Sequence, residues 1–393
     1  MRHFDQIILA AAMFRLFLSS LYLSARLWFS TLVSPVREGR SLLGALLIAL
    51  VWPLFVALQL IQWLGFALDE IFFPGWRKVQ VREPIFVVGP PRSGTTHLHH
   101  VLAQDSTATT FRLWECIFGL SVTSRRLSEA LVRLDGTLGG FFARTLGGIG
   151  RRLSRGVEDV HPLSLTAPEE DFLAMLLPVQ CFILVVVFPN AGWLWQIARL
   201  DREVDAEQQS RLMSFYKACV QKHLYVYGSE KRFLSKNASF SGSPEALLKA
   251  FPEASFLICD RDPLRTVPSQ LSSVEPALRL SGFNEIPVAV RQRFIDLLAF
   301  YYDHLERFAR EHPGKSVIIE NSDLHDHLAE SVIAAYQHLD LSLDAAFEQS
   351  LRIADEQSRS FRSAHSYRLA DFGLSEEGVR ASFPGVYAHA DAD

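Results

Sequence analysis

The chain has 393 residues, a hydrophobic fraction of 49% and a formal net charge of −4. That length accommodates one large or two modest domains. With 39 Lys+Arg against 43 Asp+Glu, nucleic acid is an unsuitable partner, because phosphate backbones are held by clustered cations.

The first eighty residues differ from the rest. No charged residue occurs from Ser41 to Leu68, a run long enough to cross a bilayer core. Ile7 to Val33 is also apolar but carries Arg15 and Arg26, the pattern of an interfacial helix or one whose arginines snorkel. No small-residue cleavage site follows a short apolar core, so a removable signal peptide fits poorly. Residues 1–80 therefore read as a hydrophobic helical membrane-association region, the alternative being a helix pair buried in a large core. Arg37 and Arg40 before the run and Asp69-Glu70 after it would direct the remainder of the chain outward. Pro53 instead allows a kinked, re-entrant hairpin that leaves both ends on one side. A catalytic domain on the cytoplasmic face is the expectation, a lumenal one the alternative.

Residues 81–393 have α/β texture. Pro84 to Val88 reads as a buried strand, followed by the loop Gly89-Pro90-Pro91-Arg92-Ser93-Gly94 and then Thr95-Thr96 and a helix through Leu102. A strand, a tight loop and a helix N-terminus form an anion cradle, with converging N–H groups and a favourable helix dipole. Thr110 to Leu113 suggests a second short strand. Residues 114–230 look helical and irregular, an insertion on the acceptor side. Within it, Phe172 to Ala198 has no charge, holds Trp193 and Trp195, and is broken by Pro178, Pro189 and Gly192. It reads as packed core or as an apolar acceptor channel. Strands at 232–234, 255–259 and 316–319, separated by helices from Pro263, over 290–310 and over 323–340, predict parallel βαβ units in a three-layer sandwich.

Gly89 and Gly94 keep the glycine spacing of a P-loop, but Thr95 stands where the phosphate-binding lysine belongs. The missing clamp counts against an ATPase or kinase; the cation has moved inside the loop, to Arg92. A second piece is Cys259-Asp260-Arg261-Asp262-Pro263 with Ser269 two helical turns on. An arginine at the carboxyl edge of a strand points into the crevice where open α/β sheets bind ligands, although Arg261 could also pair with Asp260 or Asp262. The four cysteines, Cys116, Cys181, Cys219 and Cys259, are scattered with no C-x-x-C pair. That pattern suits a reducing compartment and speaks against a disulfide scaffold or a zinc site.

Taken together, Arg-Ser-Gly-Thr-Thr after a strand and Arg-Asp-Pro before a helical serine resemble the sulfotransferases that use 3′-phosphoadenosine 5′-phosphosulfate. The similarity is to the bacterial and carbohydrate-type group, and it extends over about 84–387 through Trp114-Glu115, His161-Pro162, Pro168 to Asp171, Ser235-Lys236-Asn237, His365-Ser366-Tyr367 and Asp371 to Leu374. The resemblance implies that Arg92, Ser93, Gly94, Thr95 and Thr96 hold the 5′-phosphosulfate, that Arg261 and Ser269 hold the 3′-phosphate, and that Arg362 and Tyr367 close over the nucleotide. It implies in-line transfer without a metal. Glu170 is the first candidate base, then His161 and Glu115, with Arg92 and Lys236 as charges beside the transferred group. For Pro168 to Asp171 the competing reading is a helix start that favours acids. The acceptor expected is a hydroxyl or amine of a small molecule or, given the apolar N-terminal region, of a membrane lipid or glycolipid. The alternatives are a nucleotide-dependent kinase or NTPase, and a non-catalytic membrane-tethered nucleotide-binding protein.

Overall fold

The computed structural model describes residues 2–33, 39–137, 167–360 and 367–390. Its centre is a five-stranded, all-parallel sheet of β1 (Ile85–Val88), β2 (Ala108–Thr109), β3 (Arg232–Lys236), β4 (Ser255–Asp260) and β5 (Ser316–Glu320), in the order β2-β3-β1-β4-β5. Side chains alternate between the sheet faces. Phe86, Val88, Phe233, Phe256 and Ile258 pack on one side, whereas Ile85, Val87, Leu234, Leu257, Cys259 and Ile319 pack on the other. Both faces are covered by helices, which gives the expected three layers. All four cysteines are buried free thiols.

Besides the short helices Gly192–Ile197 and Leu200–Glu203, the helices before β5 among the described residues are α1 (Arg2–Val33), α2 (Leu42–Phe72), α3 (Thr95–Leu102), α4 (Leu113–Phe118), α5 (Val122–Thr137), α6 (Ala206–Tyr227), α7 (Pro244–Ala250), α8 (Pro263–Leu280) and α9 (Val288–Glu311). Beyond β5 follow α10 (Asn321–Asp326), α11 (Leu328–His338), α12 (Ala345–Ser360), α13 (Glu376–Ser382) and α14 (Pro384–Ala390). Two expectations shift. The second strand is Ala108–Thr109, and Leu113 already begins α4, whose first turn is closed by Glu115. The helix expected over 323–340 is two, interrupted at His327.

The N-terminal region forms an α1–α2 hairpin. Pro53 lies inside a continuous α2, so the re-entrant turn expected there does not occur; neighbouring groups absorb the lost backbone bond. One face of α2 docks on the domain along its whole length. Ser41 N donates to Gly282 O at 2.8 Å, Gln59 Nε2 donates to the Leu176 and Leu177 carbonyls at 2.6 and 3.1 Å, and Gln62 Nε2 reaches Ile117 O at 3.3 Å. Gly44 is required where α2 meets Gly282, because a Cβ there would lie 2.5 Å from the Gly282 Cα. At the far end Asp69 accepts from Val122 N and Thr123 N, capping α5, and pairs with Lys222 Nζ at 2.6 Å, both side chains fully buried.

Candidate active site

The carboxyl ends of the central strands converge on the 89–94 loop. Gly89 has φ 149° and Gly94 φ 101°, and a Cβ on Gly94 would sit 2.7 Å from Asn321 Nδ2. These positions need glycine. Arg92 has φ 71°, a left-handed conformation that costs a branched or bulky residue about 1–2 kcal/mol. Such strain persists where the surroundings over-determine it, typically at ligand sites.

Those surroundings join the two motifs. Arg92 Nε donates to Ser269 Oγ at 3.0 Å, and Arg261 donates from a terminal nitrogen to Arg92 O at 2.9 Å. Arg261 therefore does not turn to its own acids: Asp260 Oδ1 accepts from Arg261 N at 2.9 Å, and Asp262 caps α8 by accepting from Leu264 N at 3.0 Å. Burial, and then the adjoining Arg92 guanidinium, push Arg261 below its ordinary value. Two half-buried cations thus face each other across the loop, an arrangement that an anion between them would stabilise.

Ser93 is fully buried, and its Oγ has no hydrogen-bond partner. An orphaned hydroxyl inside an anion loop fits a phosphate-like oxygen. Thr95 and Thr96 open α3, whose N-terminus points at the loop. The loop is braced by groups that the sequence motifs do not mark. Gly89 N donates to Ser241 Oγ at 3.1 Å, Asn321 Nδ2 donates to Ser93 O at 3.1 Å, and the Tyr302 hydroxyl bonds the Arg261 carbonyl. Asn321 follows β5 as Lys236 ends β3 and Arg261 follows β4, so the strand-end rule for parallel sheets could have located it.

On the other side of the loop Lys236 pairs with Glu170. Lys236 lies opposite Val87 in the sheet and is 3% exposed, whereas Glu170 keeps 24% of its side chain open. The acidic run is therefore divided. Glu170 is the N-cap residue of a 3₁₀ segment, Asp171–Leu176, without capping by its side chain. Asp171 turns inward to accept from the Tyr216 hydroxyl, and burial raises its carboxyl to about 7 against the lowering effect of that hydrogen bond. Glu115 is buried and accepts from Arg112 N at 2.7 Å. This geometry makes it a helix cap. His99 on α3 is buried, meets Thr110 Oγ1 at 2.8 Å, and is held well below the ordinary histidine value by burial and then by Lys236. His161 and Arg362 lie outside the described residues, and Tyr367 is half-buried where the described chain resumes.

The 172–198 run packs as core. Trp195 stacks edge-on against Phe294 at 5.0 Å, and Phe188 against Trp52 at 4.9 Å. A cavity of about 30 Å³ between Phe172, Met175, Cys181 and Asn237 has room for about one water.

A sequence profile described as "Sulfotransferase family" matches residues 84–345. The chain belongs to the sulfotransferase family. The chain is 26% identical over 210 residues to omega-hydroxy-beta-dihydromenaquinone-9 sulfotransferase Stf3 from Mycobacterium bovis and equally to the Stf3 of Mycobacterium tuberculosis, matching 51% of this chain and 48% of each relative. The match thus spans about half the length of these curated relatives. Among solved structures, sulfotransferase STF9 from Mycobacterium avium superposes with a TM-score of 0.72 at 18% identity, covering 92% of this chain and 88% of that one. STF1 from Mycobacterium tuberculosis H37Rv superposes with a TM-score of 0.66 at 18% identity, covering 93% of each chain. The fold of this chain is the fold of these two structures.

Proposed function

We propose that the protein transfers a sulfuryl group from 3′-phosphoadenosine 5′-phosphosulfate to the hydroxyl of a membrane lipid. The observation that carries this reading is the joining of Arg92, Arg261 and Ser269 across the loop. One guanidinium serves the 5′-phosphosulfate and the other the 3′-phosphate, which distinguishes the donor from ATP. Ser93 Oγ and the α3 N-terminus supply further donors to the phosphosulfate. The donor, when bound, supplies the sulfur electrophile and its leaving phosphate.

Glu170 takes the acceptor proton. The acceptor oxygen attacks sulfur in line, an S–O bond forms as the bond to the 5′-phosphate oxygen breaks, and adenosine 3′,5′-bisphosphate departs with the electron pair. Arg92 stabilises the charge that develops on that leaving group. Lys236 stands beside Glu170 to orient the carboxylate and to face the sulfuryl oxygens. The acceptor class is supported by the name of the Stf3 relatives, which describes a hydroxylated menaquinone, and by the apolar α1–α2 hairpin.

The test is transfer of labelled sulfuryl from the donor into a membrane lipid extract, comparing wild type with Arg92→Ala and Arg261→Ala. Labelled lipid that is lost in both variants supports the proposal. Undiminished labelling by Arg92→Ala would refute the site.

A further inference from the structure

The α1–α2 hairpin has two apolar faces, and only one is used by the domain. On α2 the buried positions include Gly44, Ala45, Trp52, Gln59, Gln62, Trp63, Phe66 and Asp69, a stripe that runs the length of the helix. The opposite stripe contains Leu43, Leu47, Leu50, Leu54, Ile61, Leu64 and Ile71, all between 45% and 72% exposed. At 31 residues α2 is about 46 Å long, whereas a bilayer core is about 30 Å thick. Its inner face is pinned at Ser41, Gln59, Gln62 and Asp69, so no membrane-length segment of α2 is free of protein on all sides. A helix crossing the bilayer would have to bring the domain into the hydrocarbon with it.

The chemistry of the outer stripe selects its occupant. The polar side chains of α2 between Leu42 and Leu68, Gln59 and Gln62, turn inward, as do the two tryptophans. What α2 turns outward between Leu42 and Leu68 is aliphatic and offers no hydrogen-bonding side chain, while α1 exposes Phe14, Leu18, Tyr22 and Phe29. Protein interfaces are enriched in aromatics, methionine and arginine and carry about one hydrogen bond per 100–200 Å². A hydrocarbon phase demands the opposite composition. Cations flank the face. Arg26 on α1 lies 4.9 Å from the half-buried Trp193 ring, the kind of pair found at membrane–water boundaries. α5, whose N-terminus Asp69 caps, exposes Leu127, Leu131 and Leu134 beside Arg126 and Arg133.

We infer that the hairpin lies flat in one leaflet of a lipid bilayer, inserting its outer face without crossing, and so holds the active site at the membrane surface. The 3₁₀ segment Asp171–Leu176 links the two. Gln59 on α2 binds carbonyls at its carboxyl end, and Glu170 precedes its amino end. Six residues at about 2.0 Å rise make this ledge about 12 Å long. Glu170 thus lies about that far along the ledge from the inner face of α2, where Gln59 binds. Its relevance to catalysis rests on the proposed reaction; the insertion itself does not.

The experiment uses the full-length protein and vesicles of phosphatidylcholine with phosphatidylglycerol. Wild type should float with the vesicles, and Leu50→Glu/Leu54→Glu should lose at least tenfold of the bound fraction while keeping its melting temperature and its melting shift with adenosine 3′,5′-bisphosphate. Undiminished flotation of that variant, or a stable dimer that does not float, would overturn the inference. Because the native thiols are buried, Leu43→Cys and Ile71→Cys can each carry a single bimane label. In-plane insertion predicts equal quenching of both by lipid bromines at one depth, and access from the opposite side of the vesicle to either would overturn it. Vesicle binding without sulfuryl transfer supports the surface and removes the reaction; transfer to a lipid alcohol in detergent by a protein that never floats does the reverse.

Discussion

Arg92 donates to Ser269 at 3.0 Å although the two lie 177 positions apart in the chain. With the Arg261 bond to the Arg92 carbonyl, this contact joins the β1–α3 loop to the second turn of α8, where the proposed donor would bind. Arg92→Ala removes a charge that acts on the leaving group, so kcat for sulfuryl transfer should fall by about 10²–10³. Ser269→Ala removes a hydrogen bond to a charged group, and affinity for adenosine 3′,5′-bisphosphate should fall by about 10–100-fold. Isothermal titration and steady-state rates separate the two effects. Equal losses of kcat in both variants would contradict the assignment of phosphosulfate to one residue and 3′-phosphate to the other.

Glu170 and Lys236 form one unit, and their substitutions should not add. Glu170→Gln, which keeps the shape and removes the proposed base, should lower kcat by about 10²–10⁴. Lys236→Met should lower it as well, because the carboxylate loses its partner. The double variant should be little worse than Glu170→Gln alone. Fully additive losses in a double-mutant cycle would show that the two residues act separately.

Asp171 gives the fold a pH dependence. Its carboxyl is raised by burial from an ordinary 3.8 to about 7 in the folded protein. The unfolded chain therefore releases this proton at lower pH than the folded one. The contribution of Asp171 is fully present below about pH 4 and is lost as pH rises through 7. Asp171→Asn keeps an acceptor for Tyr216 and cannot ionise. Urea midpoints at pH 5 and pH 8 should differ less in this variant than in wild type. An unchanged difference would place the titration elsewhere.

Local chemistry made the strands and the two anion motifs readable. The run Ile85–Val88 is β-branched and apolar, Gly89 and Gly94 mark the turn, and Asp262-Pro263 is a helix start whichever protein contains it. Pairings across the chain were hidden for a physical reason. Nothing near Lys236 in sequence indicates that Glu170 is its partner, and Glu115 looked like a free acid beside Trp114 until Arg112 N was found bound to it. The apolar length of α2 was equally visible, but its inner docking depends on Gln59 and Gln62 meeting carbonyls 55 or more residues away. Composition alone therefore could not distinguish a span from a helix lying on its side.

The Asp69–Lys222 pair tests whether the hairpin is an integral part of the domain. Both side chains are fully buried, and burial pulls Lys222 below the ordinary lysine value even with Asp69 pushing the other way. Lys222→Met leaves the Asp69 carboxylate in the interior without its cation, which should cost about 3–5 kcal/mol. Asp69 also accepts from Val122 N and Thr123 N, a capping role that asparagine can retain through its carbonyl. The double variant Asp69→Asn/Lys222→Met should therefore recover most of the loss seen in Lys222→Met. Chemical denaturation of the three proteins in detergent provides the comparison. If Lys222→Met melts like wild type, the hairpin can separate from the domain without unfolding it, and the flat attachment inferred from its docking would lose its structural basis.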